Sequence, residues 1–328
     1  MVKLSDLIRE EEMKASKEGN AISLPSLQEN DVDSEAARIY KEVCQFVEKV
    51  MDNAKGKRPF DPNHGMKSIE RIVQSYQLLE SLYERAVELQ YLRDFFIHHS
   101  VNTAIFSIKM GVTLNYDQDQ LIKLGTTALF HEIGITRVPE VILYKKSPLT
   151  ENEFQVLKKH PRYGYETVLL QGREFEWMAE IIYQEHERER GQGYPRGLKG
   201  DEIQEFAKII GIVDIYEALI NSRPHRKRFH PYAGVKMIVE KQKGFFSPRI
   251  IKALLSQVSV FPLNCYVKLN NHMIGKVIKT NARQLLRPKV EICYDGKGKK
   301  LKEVKVINLS DSPLLYIADP LYEEELPK

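Results

Sequence analysis

The strongest constraint on the fold is a series of apolar helical runs that each end in, or are interrupted by, a histidine or a carboxylate. In "TTALFHEIGITRVPE", an apolar run ends at His131-Glu132, and Gly134 follows. Side chains at such positions are expected to point at the protein interior. The other positions of this kind are His98, His99, His160, Glu185, His186, Glu187 and Asp214.

Histidines and carboxylates that are buried together need a compensating charge, because the cost of removing them from water is high. A divalent metal offsets that cost, and imidazole combined with carboxylate suits iron, manganese or zinc. A lone histidine on an apolar face is more often a core residue with satisfied hydrogen bonds. The metal interpretation therefore depends on the number of these positions and on the two places where histidine and carboxylate are adjacent.

Hydrophobic periodicity divides the chain into four regions. We predict a charged N-terminal arm over residues 1–33, a helical region over 34–90, a mainly helical domain over 91–257 and a small β-rich extension over 258–328. In "SEAARIYKEVCQFVEKVM" the apolar residues recur at spacings of three and four, and Ser34 is a candidate N-cap. After the loop "AKGKRPFDPNHG", the stretch "MKSIERIVQSYQLLESLYERAVELQYL" predicts one long second helix.

The predicted domain and extension carry recognisable local signals. In "SPLTENEF", Thr150 and Glu153 form a capping box that starts a helix. The C-terminal stretches "CYVKLNNHMIGKVIKT" and "PKVEICYDGKGKKLKEVKVINL" alternate and contain turns at Asn270-Asn271 and Asp295-Gly296, which predicts a small β-meander. The overall fold class is mainly α.

Charge and cysteine content limit the functional classes. The net charge is +4 over 328 residues, which is too mild to indicate nucleic-acid binding, so we expect no DNA partner. Three widely spaced cysteines, Cys44, Cys265 and Cys293, argue against a disulfide framework and for a reducing compartment. With no signal peptide and no membrane-spanning run predicted, we expect a cytoplasmic protein without a membrane span.

From His99 to about Leu254, some 155 residues, the chain resembles the HD-GYP family of the HD metal-dependent phosphohydrolases. The matching blocks are "HHSVNTA", "ALFHEIGITRVPEVILYKKSPLTENEFQVLKKHPRYGYETVLL", "EHERERGQGYPRGLKGDEI" and "AKIIGIVDIYEALINSRPHRK". The tripeptide that names the family stands here as Gly193-Tyr194-Pro195. The order and spacing of these blocks follow the family.

The resemblance implies an all-helical bundle that holds divalent transition metals, iron or manganese, and hydrolyses cyclic di-GMP to pGpG or GMP. Two metals are expected here, with Glu132 as the bridging and catalytic carboxylate. Tyr194 is expected beside the nucleotide, and Arg223 and Arg226 are expected to contact its phosphate or guanine. The implied metal ligands are His99, His131, Glu132, His160, Glu185, His186 and Asp214.

The sequence departs from the family pattern at positions that the family uses for metal binding and catalysis. Glu132 replaces the aspartate of the His-Asp pair, and Glu185 replaces the first histidine of His-His-Glu. Ile135 occupies the position of a lysine, Arg190 that of an aspartate, and Phe95 that of an acid present where a third metal binds. No ligand position is apolar, so we expect metal binding to be retained.

Three functions remain open. We predict an HD-GYP-like protein in cyclic di-GMP signalling whose turnover is impaired or absent, so that it senses nucleotide or binds a protein partner. The alternatives are an active metal-dependent phosphodiesterase and an HD phosphohydrolase that acts on another nucleotide. Arg137 and Arg190 are the candidates to replace the charge missing at Ile135. The N-terminal helices could form a hairpin or a homodimer interface.

Overall fold

The computed structural model describes residues 29–88, 94–145, 147–221, 228–241, 244–258, 261, 263–281, 284 and 286–327. Most of the arm predicted for residues 1–33 lies outside this part of the chain. The described residues form two compact units. One contains 29–228 and 244–253, and the other contains 229–241 and the residues from 254 onward. Among the described helices, none is long and apolar enough to cross a membrane.

Within the described residues 29–88, three helices precede the predicted metal-binding region: α1 (Glu29–Lys55), α2 (Pro62–Val73) and α3 (Tyr76–Glu88). The prediction of Ser34 as an N-cap is wrong because Ser34 lies inside α1. The buried Val32 extends the apolar stripe of α1 one turn upstream of Ala36 and Ile39.

The single second helix predicted from the sequence is in fact two helices. The first begins in the predicted loop, because the Asp61 side chain accepts a hydrogen bond from Asn63 N at 2.9 Å and Pro62 occupies the first turn. Between the helices, the Ser75 hydroxyl accepts a hydrogen bond from Leu78 N at 3.3 Å and so starts α3.

The central helices carry the residues of interest. They are α4 (Phe95–Thr113), α5 (Gln118–Phe130), α6 (Glu140–Leu143), α7 (Glu151–Leu157), α8 (His160–Leu169), α9 (Glu176–Gln184) and α10 (Glu205–Ile220). A 3₁₀ helix, Ile133–Arg137, follows α5. The predicted capping box at Thr150 and Glu153 is confirmed, and Asp117 with Gln120 forms another at the start of α5.

Helix α4 is buried on nearly all sides over its central turns and packs against both α5 and α10. An apolar core cluster joins α1, α5, α8 and α9, and includes Phe130 and Ile133 on either side of His131-Glu132. Because both neighbours are anchored in the core, the His131-Glu132 pair is held at a fixed place.

The C-terminal residues form a five-stranded antiparallel sheet of β1 (Tyr266–Leu269), β2 (Ile274–Lys279), β3 (Lys289–Tyr294), β4 (Lys300–Asn308) and β5 (Ile317–Leu321). Its strand order is β4-β3-β2-β1-β5, so the predicted meander is confirmed for the first four strands. The last strand, which pairs with β1, was not predicted because Pro320 interrupts its alternation. Helices α11 (Pro231–Lys241) and α12 (Pro248–Gln257) precede the sheet.

Candidate metal centre

The seven predicted ligand side chains lie on elements that converge, six of them at or near an element end and Asp214 within a helix. His99 lies near the start of α4, His131 follows α5 directly, and Glu132 precedes the 3₁₀ helix. His160 begins α8, Glu185 and His186 follow α9, and Asp214 lies in the middle of α10. At a helix end the chain leaves the regular helical path, so the ends of several helices can meet at one place. Residues far apart in sequence can approach one another there.

These side chains form two groups, which together we call the candidate centre. His99, His131, Glu132 and Asp214 form the first group, and His160, Glu185 and His186 form the second. Within each group the candidate ligand atoms lie within 4.8 Å of one another. Glu132 approaches the second group, since its Oε2 atom is 3.7 Å from His160 Nε2.

The close approach of Glu132 to His160 requires a glycine two residues after Glu132. A Cβ atom on Gly134 would lie 2.0 Å from the carbonyl oxygen of His160 and 2.4 Å from the backbone nitrogen of Gly164. No larger residue fits between the 3₁₀ helix and α8 at this distance. The glycine of "HEIG" therefore permits the packing that brings the two groups together.

The ligand-type atoms of the candidate centre suit divalent metal ions. Five of them are buried without a hydrogen-bond partner among the described residues: His99 Nε2, His131 Nε2, Glu132 Oε2 and both carboxylate oxygens of Glu185. Leaving buried polar atoms unsatisfied is costly, and a bound cation removes that cost. The composition of the centre, imidazole and carboxylate only, is the type that binds divalent transition metals.

Two of the imidazoles are oriented by backbone carbonyl groups. His131 donates from Nδ1 to the carbonyl of Ala128 at 2.7 Å, and His160 donates from Nδ1 to the carbonyl of Leu157 at 2.8 Å. Each bond fixes the tautomer and leaves Nε2 unprotonated for a ligand in the neutral ring. His160 Nε2 lies 2.9 Å from His186 Nε2, so the two rings face the same point.

Without metal, the candidate centre holds protons in place of cations. Burial alone would lower the pKa of His99, but the charges of Glu217 and Asp214 and hydrogen bonds to them raise it to about 10. Burial likewise opposes protonation of His160, yet Glu132 and Glu185 raise its pKa to about 9. Burial raises the pKa of Glu185 above its ordinary value. A metal must therefore displace protons to bind.

The Gly193-Tyr194-Pro195 loop lies directly against the second group. The Tyr194 ring stacks on the His186 ring with centroids 4.7 Å apart, and its backbone nitrogen donates to the carbonyl of His186 at 3.1 Å. Burial raises the pKa of the Tyr194 hydroxyl above its ordinary range, so this group stays neutral. Tyr194 is thus placed beside the candidate centre.

Two buried carboxylates beside the candidate centre were given no role from the sequence. Glu187 is buried and accepts hydrogen bonds from the backbone nitrogens of Arg196 at 2.6 Å, Gly197 at 3.1 Å and Leu198 at 3.0 Å, so it organises the loop that follows Pro195. Glu217 is buried and contacts Nδ1 of His99. Its position three residues after Asp214 in an apolar helix was the signal that could have revealed it.

His98 points away from the candidate centre, unlike its neighbour His99. Its Nδ1 atom is 3.4 Å from the hydroxyl of Tyr40 and 3.5 Å from Sγ of Cys44, both in α1. The doublet "HH" therefore contributes one residue to the centre and one to the interface with α1.

The departures from the family pattern are visible in the structure. Ile135 is buried, and the Arg137 guanidinium pairs with Glu166 at 2.6 Å and lies over the Tyr163 ring. The Arg190 guanidinium packs against Gly244. Phe95 stacks on His99 with ring centroids 5.4 Å apart. The predicted ligand-binding residues Arg223 and Arg226 lie outside the described residues.

Comparison with protein families now defines the class. A family model described as an HD domain matches residues 70–250, and one described as a KOW domain associated with HD domain matches residues 266–328. The first covers more than half of the chain, and the chain belongs to the HD domain family. It is related to the HD-GYP cyclic di-GMP phosphodiesterases, as the sequence resemblance predicted.

Individual relatives support this assignment. A cyclic di-GMP phosphodiesterase of Pseudomonas aeruginosa is 27% identical over 223 residues, which are 68% of this chain and 54% of that protein. A 3'3'-cGAMP-specific phosphodiesterase of Vibrio cholerae is 35% identical over 135 residues, which are 40% of this chain and 30% of that protein. The chain spans about half the length, or less, of the curated relatives it matches.

A solved structure shares the fold. The HDG"Y"P protein of Bdellovibrio bacteriovorus superposes with a TM-score of 0.57 at 17% sequence identity, covering 75% of this chain and 76% of that one. At this identity the likeness concerns the fold alone.

Proposed function

We propose that the protein binds two divalent transition-metal ions, iron or manganese, together with a cyclic dinucleotide, and acts in cyclic di-GMP signalling with impaired or absent turnover. The observation that carries the proposal is the convergence of seven imidazole and carboxylate side chains in two adjacent groups. Buried nitrogen and carboxylate oxygen atoms without a hydrogen-bond partner occur in both groups and support metal binding. The free thiols of Cys44, Cys265 and Cys293 support a reducing, cytoplasmic location.

The proposed roles of Glu132 and Tyr194 follow from their positions, and those of Arg223 and Arg226 follow from the sequence resemblance. Glu132 is the bridging carboxylate, because it belongs to the first group and its Oε2 atom also faces His160 of the second. Divalent ions held there would neutralise the charge of a phosphodiester and activate a water molecule. Tyr194 presents an aromatic face beside His186 on which a guanine base can stack. Arg223 and Arg226 are proposed to bind phosphate through bidentate hydrogen bonds.

Impaired turnover is supported by the charges around the centre. Glu185 adds an anionic ligand where an imidazole is usual, which makes water at the centre less acidic. Ile135 places an apolar side chain where a lysine is usual. Arg137 pairs with Glu166, and Arg190 packs against Gly244. These contacts support the proposal that neither arginine replaces the charge lost at Ile135.

Two further functions each have an observation in their favour. The complete set of ligand-type residues and the stacked Tyr194 favour an active cyclic di-GMP phosphodiesterase. The similarity to a 3'3'-cGAMP-specific phosphodiesterase favours a second cyclic dinucleotide as the substrate of an active enzyme. A protein partner fits the reading in which nucleotide is bound without hydrolysis.

The first experiment separates metal binding from turnover. The protein is purified without oxygen, loaded with Mn(II) or Fe(II), and analysed for metal content before cyclic di-GMP or 3'3'-cGAMP is added. We expect stoichiometric metal, nucleotide binding and little pGpG or GMP. Absence of metal in the wild type would overturn the proposal, and fast turnover that is abolished in His131→Ala would establish the enzyme.

The second experiment restores the usual ligand types. In the double variant Glu132→Asp/Glu185→His, we expect hydrolysis of cyclic di-GMP to rise, because the carboxylate is shortened and one negative charge is removed. Single variants show which change matters, and Glu140→Gln, at an exposed ion pair with Lys55 outside the candidate centre, serves as the control. An unchanged rate in the fully metallated double variant would show that these two ligands do not limit turnover.

A further inference from the structure

A continuous chain of buried contacts joins α1 to the candidate centre. The Tyr40 hydroxyl donates to Asn102 Oδ1 at 2.8 Å, and Asn102 Nδ2 donates to Glu217 Oε1 at 3.0 Å. The other oxygen of Glu217 contacts Nδ1 of His99. Tyr40, Asn102, Glu217 and His99 are all less than a tenth exposed.

The direction of each hydrogen bond in this chain is fixed by chemistry. The carboxylate of Glu217 can only accept, so the amide nitrogen of Asn102 must face it. The carbonyl oxygen of Asn102 then faces Tyr40, which must donate its hydroxyl proton. A second amide, Asn221 Nδ2, donates to the same Glu217 oxygen at 2.7 Å. Glu217 is thereby held so that its other oxygen receives His99.

The orientation of His99 depends on this contact. With Nδ1 turned toward Glu217, the remaining nitrogen, Nε2, lies 3.1 Å from Asp214 Oδ1 within the first group of the candidate centre. A carboxylate that accepts from the second nitrogen of an imidazole ligand sets its tautomer and its orientation.

We propose that Tyr40 is a positioning residue for the candidate centre, acting through Asn102 and Glu217 on His99. Tyr40 lies in α1, which ends at Lys55, before the residues 70–250 that match the HD domain model. The helix in front of the domain is therefore part of the support of a metal ligand. A movement of α1 that breaks the Tyr40–Asn102 bond frees the amide of Asn102 to rotate, which loosens Glu217 and then His99.

This inference builds on the proposed function but is tested without activity. The first readout is the dissociation constant of Mn(II), measured by competition with a chelator. Substituting a residue that supports a metal ligand typically weakens binding about 10-fold to 100-fold, which we expect for Glu217→Gln. For Tyr40→Phe, which loses one neutral hydrogen bond, we expect about a threefold to tenfold loss.

A double-mutant cycle distinguishes positioning from packing. If Tyr40 acts only through Glu217, Tyr40→Phe should have no further effect on the Mn(II) dissociation constant in the Glu217→Gln background. Tyr83→Phe is the matched control, because Tyr83 is an equally buried tyrosine that packs on Phe106 in the same unit. Additive effects in the cycle, or a Tyr40→Phe protein with wild-type affinity, would overturn the proposal.

The second readout does not require metal. In protein labelled with ¹⁵N at histidine rings, the Nδ1 proton of His99 should exchange slowly in the metal-free wild type and in Tyr83→Phe, and faster in Tyr40→Phe. A wild type that binds no Mn(II) but shows this difference would reject the proposed function while keeping the positioning role. Identical exchange in all three proteins would reject the positioning role by itself.

Discussion

Replacement of Gly134 by alanine tests the contact that assembles the candidate centre. The added methyl group would lie 2.0 Å from the carbonyl oxygen of His160, where 3.0 Å is the lower limit for such contacts. The obstacle is backbone, so it cannot rotate away. The 3₁₀ helix and α8 must therefore separate by about 1 Å, a displacement that can cost about 100-fold where geometry is critical.

The same displacement gives two measurable quantities. Overpacking of this kind costs about 1–3 kcal/mol, which lowers the midpoint of thermal unfolding by about 2–4 °C per kcal/mol in a domain of this size. Separation of Glu132 from His160 should reduce Mn(II) affinity by about 10-fold to 100-fold, as measured by chelator competition and metal analysis after gel filtration.

Gly56→Ala is the control for this substitution. Its added methyl group would meet the flexible Arg58 guanidinium at 3.2 Å, which can move aside, and the Asp52 carbonyl oxygen at 3.3 Å, which needs to shift much less than the His160 carbonyl oxygen. We expect wild-type metal affinity in Gly56→Ala and a clear loss in Gly134→Ala. If folded Gly134→Ala protein binds Mn(II) as tightly as the wild type does, then the close packing against α8 is not what holds the two groups together.

Three further predictions concern charge, the loop and the helical framework. In metal-free protein, the pKa values of His99 and His160 are raised to about 10 and about 9, so the stability that these protonated rings contribute is complete below about pH 6.5 and is lost as the pH rises through those values. The temperature of half-unfolding, measured with a chelator present, should therefore fall between about pH 7 and pH 10. A rise over this range would contradict the argument. Glu187→Gln should weaken cyclic di-GMP binding and leave the metal content unchanged, because one of the three backbone N–H groups that bind Glu187 near Tyr194 loses its acceptor. Calorimetry of nucleotide binding together with metal analysis checks this. Loss of metal from the variant would contradict it. Asp61→Ala should cost about 1 kcal/mol in thermal unfolding by removing the N-cap of α2, and an unchanged midpoint would show that the cap contributes nothing.

The pattern of histidines and carboxylates at the ends of apolar runs pointed to the side chains that converge in the candidate centre. Helices that bury their apolar faces bring such residues inward. Periodicity also predicted α1 and the first strands of the sheet, and the capping box at Thr150 predicted the start of α7. These features depend on residues close in sequence, where local rules hold.

Other features of the fold could not be predicted from the local apolar pattern. The break between α2 and α3 depends on the caps at Asp61 and Ser75, which the continuous apolar pattern conceals. Strand β5 exists because it pairs with β1, far away in the sequence. His98 and His99 differ in their surroundings because His98 contacts α1 and His99 contacts α10.

The sequence by itself determined the family, the helical class and the chemical types at the candidate centre, since these follow from residue identity, spacing and periodicity. The tertiary structure decided which atoms meet. The approach of Glu132 to His160 across Gly134, the chain from Tyr40 to His99 and the loop held by Glu187 all join residues from different elements. Such contacts depend on packing between elements, and only the assembled fold specifies that packing.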